Sequence, residues 1–182
     1  GNAHLCPHCA GYKAAHMRNW IDLALLPAAK THDLHVGLMT LTAQHRRADD
    51  WAAHVKKYYL ALSDFNIAMR RDFLKIGSLG KLRAMESPVG SNGLHLHIHD
   101  LFTYKPGTKI KSFQKIVFKY WKAALEKHGL SCNSQGVDIK EQGKFDPLYI
   151  AKEMAAYDTK DKSKSDLKNL FQLLDASAKG DK

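Results

Sequence analysis

The spacing of hydrophobic and polar positions divides the chain into extended and helical segments. Runs of apolar and β-branched residues predict strands at 36–42, 82–87 and 137–140. A fourth strand begins at His95, where histidines alternate with apolar residues. Residues 88–93 carry strong turn signals, so the strand before them and the histidine strand should form an antiparallel hairpin.

Apolar residues recur at helical spacing between these strands. A long helix is predicted from a cap at Asp49 or Asp50 to about Phe73, and an amphipathic helix at 112–127. Shorter helices are predicted at 21–26, where Pro27 stops the helix or turn, and at 147–157 and 166–176. This order predicts an α+β fold, an antiparallel sheet with flanking helices.

The length of 182 residues favours one domain with a sizeable core. We divide it into a cysteine-bearing segment and helix at 1–30, a main body at 31–160, and a charged link with a terminal helix at 161–182. Three cysteines do not make a disulfide framework, and no apolar run approaches membrane-spanning length or forms a secretory signal. We therefore expect an intracellular, cytoplasmic protein. The net charge of +10 attracts polyanions, chiefly nucleic acid or acidic membranes.

The histidine strand is the most informative chemical feature. His95, His97 and His99 alternate with apolar residues, so on a strand all three imidazoles share one face, with neighbours ~7 Å apart. A histidine pair on a rigid strand is half of a divalent-metal site. Glu86, near the end of the preceding strand, can bring a carboxylate to the same face, which suits Mg²⁺ or Mn²⁺. Asp100 should face away from the metal.

A second constellation lies near the end of the main body. On a helix, Glu153 and Tyr157 are neighbours at i, i+4, and Lys160 follows within a turn. A nearby ammonium favours the phenolate and stabilises charge on a phosphate, while a carboxylate can orient a water. With a metal, these groups suit phosphodiester chemistry in which Tyr157 is the nucleophile. The alternative is a helix end with a half-buried tyrosine and ordinary surface charges.

The cysteine pair at the start is half of a zinc site. Cys6 and Cys9 flank Pro7 and His8, at the spacing of a metal knuckle. Zn²⁺ at this pair and unpaired reduced thiols remain alternatives.

The chain resembles the rolling-circle replication initiators of small plasmids, within the HUH endonuclease superfamily, whose name denotes His, hydrophobic residue, His. Three motifs occur in the family's order: residues 38–42, residues 93–99 preceded by 83–86, and a tyrosine followed three residues later by lysine at Tyr157 and Lys160. The cysteine pair resembles the knuckle upstream of the first motif. The resemblance covers residues 5 to 160, and the order of the motifs is more specific than any one of them.

The resemblance implies a two-layer sandwich like that of HUH endonucleases and RNA-recognition motifs, with residues 31–160 as the nicking and strand-transfer domain. It implies metal-dependent nicking and rejoining of single-stranded or cruciform origin DNA through a 5′-phosphotyrosine at Tyr157, leaving a 3′-OH primer. His97 and His99 are the favoured metal ligands, with His95 third. Glu153 takes the place of the glutamate that activates water to end replication, and Tyr149 is a competing second tyrosine.

The expected partners are origin DNA with a host helicase and polymerase, in the cytoplasm of a plasmid-bearing bacterium, and no membrane. Candidate DNA contacts from the residues themselves are basic side chains: Arg46, Arg47, Lys115 and Lys119. Three alternatives remain open. One is an HUH transposase or mobilisation relaxase, although relaxases place the tyrosine before the histidines. The others are a non-catalytic zinc-knuckle DNA-binding module and a zinc hydrolase that uses the three histidines.

Overall fold

The computed structural model describes residues 12, 15–16, 18–46, 49–86, 89–90 and 93–141, with the backbone alone at 86, 89–90 and 93–94. Its elements in chain order are a π-helical turn (Ile21–Leu25), α1 (Leu26–Thr31), β1 (His35–Thr42), α2 (Trp51–Lys75), β2 (Lys81–Glu86), β3 (Val89–Gly90), β4 (Gly93–Leu94), β5 (His97–Tyr104), α3 (Ile110–Lys127) and β6 (Val137–Lys140). The helices predicted at 147–157 and 166–176 lie outside the described residues. No helix in the described ranges has the length and apolarity needed to cross a bilayer.

The fold is α+β, as predicted, with a four-stranded sheet in the order β2-β5-β1-β6. Every neighbouring pair in this sheet is antiparallel. The predicted hairpin between β2 and the histidine strand is confirmed, and the short pair β3–β4 forms part of its connection. The histidine strand β5 therefore lies inside the sheet, between β2 and β1.

The two faces of the sheet are covered differently. Side chains of one face pack with those of α2 and α3 in the larger core, which includes the fully buried residues Met39, Leu41, Ile98, Phe65 and Trp121. On the other face, Leu38 and Leu101 pack with Ile21 from the π-helical turn. Since strand side chains alternate, His97 and His99 share this second face with Leu101.

Helix α2 begins where one of the two predicted caps places it. The Asp50 side chain accepts a hydrogen bond from the Ala53 amide at 3.1 Å, which satisfies a donor that the first helical turn leaves unpaired. The helix ends at Lys75, and the turn that follows contains Gly77 at a φ of 76°. A positive φ suits glycine because no Cβ is present to collide with the backbone.

The prediction that Pro27 stops the preceding helix is wrong. The backbone remains helical from Ile21 to Thr31, and Pro27 lies in the first turn of α1. Proline is tolerated there because the amides of a first turn have no carbonyl partner within the α-helix. The change from π-helical to α-helical hydrogen bonding occurs just before it, where the Leu26 amide donates to the Ile21 carbonyl.

A buried ion pair joins β2 to β5 on the helix-covered face. Asp100 is fully buried and accepts hydrogen bonds from Arg83 Nε and Nη2, both at 2.6 Å. Lys81 Nζ lies 3.2 Å from the same carboxylate. Asp100 thus faces away from the histidine pair, as predicted. A buried carboxylate needs such partners because the fold removes it from water.

Asp100→Asn should lower the free energy of unfolding by about 3 kcal/mol, since it leaves the Arg83 guanidinium without its charged partner. Urea denaturation followed by circular dichroism measures the change. The matched control is Asp138→Asn, at an exposed position on β6, where we expect a change within about 0.5 kcal/mol. Equal effects of the two substitutions would contradict the structural role of the ion pair.

Candidate metal centre and adjoining cavity

Two histidines of β5 are each hydrogen bonded to a threonine of β1. The antiparallel register places Thr42 opposite His97 and Thr40 opposite His99. Thr42 Oγ1 lies 2.9 Å from His97 Nδ1, and Thr40 Oγ1 lies 3.0 Å from His99 Nδ1. The two imidazole centroids are 6.3 Å apart with nearly parallel planes. The pair is therefore held in matching orientations.

These hydrogen bonds bear on which ring nitrogen can bind a metal. A threonine hydroxyl can accept a hydrogen bond from Nδ1–H, and in that tautomer Nε2 carries the lone pair of the neutral ring. Histidines that bind metals usually donate their other ring N–H to a partner that orients the ring. The donor set of His97 and His99 thus fits a divalent cation.

Hydrogen bonds from the two long helices hold the end of β1 that carries these threonines. Tyr58 Oη of α2 donates to the Leu41 carbonyl at 2.9 Å, and Trp121 Nε1 of α3 donates to the Thr42 carbonyl at 3.0 Å. Both rings are fully buried. Burial and the nearby Asp100 carboxylate raise the pKa of Tyr58, so its hydroxyl keeps the proton that it donates. This anchoring limits movement of the threonines relative to the histidines.

The backbone of Glu86 lies next to the histidine pair. It pairs with that of His97 in the β2–β5 register. The side chain of Glu86 is outside the description. Among the side chains that the structure does describe, no group of three or more His, Cys, Asp or Glu is arranged to hold a metal ion. The described part of the candidate centre is thus a histidine pair.

His95 does not continue the histidine strand as predicted, because β5 begins only at His97. The His95 ring still stacks on the His97 ring, with centroids 6.0 Å apart, and its other neighbour is His45 at 4.1 Å in an edge-to-face arrangement. Burial, and secondarily His45, lower the pKa of His95. His95 therefore connects the histidine pair to the loop after β1.

A cavity of about 950 Å³ adjoins the pair at this end of the sheet. It lies between the loop after β1, the first turns of α2, the start of β5 and the loop between α3 and β6. His54 of α2 lines it and stacks on Trp51 with centroids 5.5 Å apart. Burial lowers the pKa of His54, although Asp49 opposes the shift.

The basic residues predicted to contact DNA lie in different places. Arg46 is exposed and lines the cavity beside the histidine pair. Lys115 and Lys119 are exposed on α3, the helix that packs on the opposite face of the sheet. The structure thus brings Arg46, but not the two lysines, to the candidate centre. Several other predicted site residues lie outside the described residues: Cys6, Cys9, Arg47, Glu153, Tyr157 and Lys160.

Four residues of this region were not assigned a role from sequence: Thr40, Thr42, His45 and His54. The sequence does carry a signal for the threonines, because their spacing of two residues on a predicted strand matches that of His97 and His99. His45 and His54 have none, because they reach the cavity only through the packing of a loop and a helix against β5.

The comparisons with known proteins are negative. No protein-family model matches the chain, and no curated protein or solved structure matches it either.

Thr42→Val and Thr40→Val should each weaken Mn²⁺ binding about 10- to 100-fold, because valine keeps the shape of threonine but cannot orient the imidazole. Isothermal titration calorimetry measures the affinity. The control Thr31→Val changes an exposed position at the end of α1 and should leave it unaltered. Wild-type affinity in both β1 variants would show that the threonines do not support the centre, and a wild-type protein that binds no Mn²⁺ would refute it.

Proposed function

We propose that this protein is a metal-dependent nickase and strand transferase acting on single-stranded DNA, of the HUH type used by rolling-circle plasmid initiators. The observation that carries the proposal is the His97–His99 pair on an inner strand, with each Nδ1 held by a threonine of the next strand. The ordered sequence motifs that end in Tyr157 and Lys160 support it. The proposed setting is a plasmid origin in the bacterial cytoplasm.

In this proposal His97 and His99 hold the cation together with Glu86, whose backbone position faces the pair. A bound Mg²⁺ or Mn²⁺ supplies positive charge that offsets the charge developing on the phosphate oxygens. The threonine hydrogen bonds position both imidazoles before DNA arrives, so little rearrangement accompanies the reaction. Arg46, in the wall of the adjoining cavity, supplies a positive charge for contact with a phosphate of the DNA backbone.

Tyr157 is the proposed nucleophile. Its phenolic oxygen attacks phosphorus as the phenolic proton leaves to solvent, and the bond between phosphorus and the 3′-oxygen breaks. The 3′-oxygen takes up a proton and becomes the free 3′-OH that primes synthesis, while the 5′-phosphate stays on Tyr157. Attack by a 3′-OH on this phosphotyrosine reverses the exchange and rejoins the strand. Lys160 favours the phenolate, and Glu153 orients the water that ends the cycle.

Wild-type protein incubated with Mn²⁺ and labelled single-stranded DNA from candidate origins should form a covalent adduct, seen on a denaturing gel. Tyr157→Phe should abolish the adduct because it removes the nucleophilic oxygen. Tyr149→Phe is the matched control and should retain it. His97→Ala and His99→Ala should reduce adduct formation at least about 100-fold, while His32→Ala, at an exposed turn after α1, should not.

Two outcomes of this assay would refute the nickase. DNA binding without an adduct, unaffected by EDTA and by Tyr157→Phe, would favour a non-catalytic DNA-binding module. Metal-dependent hydrolysis without an adduct, and without any need for Tyr157, would favour a hydrolase that uses the histidines.

Arg46→Met should reduce the salt dependence of binding to an oligonucleotide of about 8 nucleotides, because it removes one phosphate contact beside the centre. The slope of log affinity against log salt should become shallower by about 0.7. Fluorescence anisotropy at several salt concentrations measures it. The double variant Lys115→Met/Lys119→Met should leave the slope unchanged, since α3 lies on the other face. A shallower slope in the double variant alone would locate the DNA path on α3 instead.

A further inference from the structure

The cavity beside the histidine pair contains a buried nitrogen without a partner. His45 Nε2 is inaccessible to solvent and makes no hydrogen bond within the described part of the chain. Its ring meets the edge of His95 and lies 6.3 Å from His54, so three imidazoles gather on one wall. Leaving a buried polar atom unpaired is unfavourable, and a ligand with a complementary polar edge can offset that cost. Within the described residues, the cavity wall therefore contains one ring with an unpaired polar nitrogen, which a ligand reaches when the ring turns toward the cavity.

The acidic residues of the cavity already have structural roles. Asp49 Oδ2 accepts a hydrogen bond from the Arg46 amide at 2.7 Å, and Asp50 caps α2. Both carboxylates are exposed, and their negative charge disfavours a phosphate beside them. Two exposed cations, Arg46 and Lys57, also line the cavity. Phosphates are thus favoured near these cations, and a neutral polar group is favoured inside.

Size and ring chemistry agree with a heterocyclic ligand. The volume of about 950 Å³ lies within the ~300–1,000 Å³ typical of small-molecule sites. Burial lowers the pKa of His54, so its ring is predominantly neutral at neutral pH and can donate or accept hydrogen bonds. Nucleobases present both donors and acceptors on their edges and stack on flat rings.

We propose that this cavity binds one nucleobase of the DNA strand, turned out beside the phosphate at His97 and His99, with His45 Nε2 hydrogen bonded to the edge of the base. This inference rests on the proposed function and adds a specificity site to it. His95 bridges the two places, since its ring contacts both His45 and His97. The identity of the base in the cavity then contributes to the choice of cleavage position.

The test uses the full chain in EDTA, titrated with each of the four deoxynucleoside 5′-monophosphates. Histidine ring signals in ¹H–¹³C NMR spectra report binding. At least one nucleotide should shift the signals of His45 and His95. Deoxyribose 5-phosphate, which has the phosphate but lacks the base, should not. His45→Phe should weaken nucleotide binding about tenfold, because it keeps a ring but removes the hydrogen-bonding nitrogen.

Two further variants keep the test decisive. Ala53→Phe places a large side chain in the cavity from the first turn of α2 and should abolish binding by filling the space, and it decides the question if His45→Phe does not fold. His32→Phe, at an exposed site, should bind as the wild type does. Equal binding of the sugar phosphate, wild-type affinity in both cavity variants, or no shift with any nucleotide would overturn the proposal.

The two proposals fail separately because this assay needs neither metal nor Tyr157. Nucleotide binding without a DNA adduct would refute the nickase and leave the base site in place. An adduct without nucleotide binding would refute the base site alone.

Discussion

The register between β1 and β5 controls the geometry of the candidate centre. It places Thr40 opposite His99 and Thr42 opposite His97, and each pair is joined by a side-chain hydrogen bond. A slip of one residue would move every side chain of one strand to the other face of the sheet and break both contacts. The helix layer fixes the position of β1 through Tyr58 and Trp121, whose polar groups donate to carbonyls at the end of this strand. Core packing and the orientation of the imidazoles are therefore one constraint.

The alternation of side chains along β5 places core residues on one face of the strand and the histidine pair on the other. Ile98 and Phe102 pack into the larger core, while His97 and His99 face the other side. Asp100 lies on the core-facing side of β5, so its carboxylate is buried. It therefore needs the Arg83 guanidinium of β2 as a hydrogen-bonding and charged partner. This ion pair also links β2 to β5, the same two strands in which Glu86 pairs with His97. A charge in the core thus supports the pairing of β2 with β5, in which the backbone of Glu86 lies opposite that of His97.

Most of the described fold could be predicted because each element has a strong local signal. The cap at Asp50, the periodicity of α2 and α3, and the alternation in β5 are properties of neighbouring residues. The prediction at Pro27 is wrong because proline is compatible with the first turn of a helix as well as with the end of one. His95 was placed on the strand because its spacing matches that of His97 and His99, and spacing does not reveal where pairing with β1 ends. His45 and His54 could not be assigned, since their proximity to His95 depends on tertiary packing.

The cavity and the histidine pair share structural elements at one end of the sheet. Thr42 is the last residue of β1, and the loop that follows it carries His45 into contact with His95. That loop is tied to the α3–β6 connection by the Gln44 amide, which donates to the Ser131 carbonyl, while the Thr42 amide donates to the Gly136 carbonyl. Displacing the loop would therefore disturb both the cavity wall and the threonine that orients His97. If the cavity binds a base and the histidine pair binds a metal, as proposed, a ligand that pairs with His45 would favour the loop position in which Thr42 holds His97, and the two binding events would reinforce each other through these shared contacts.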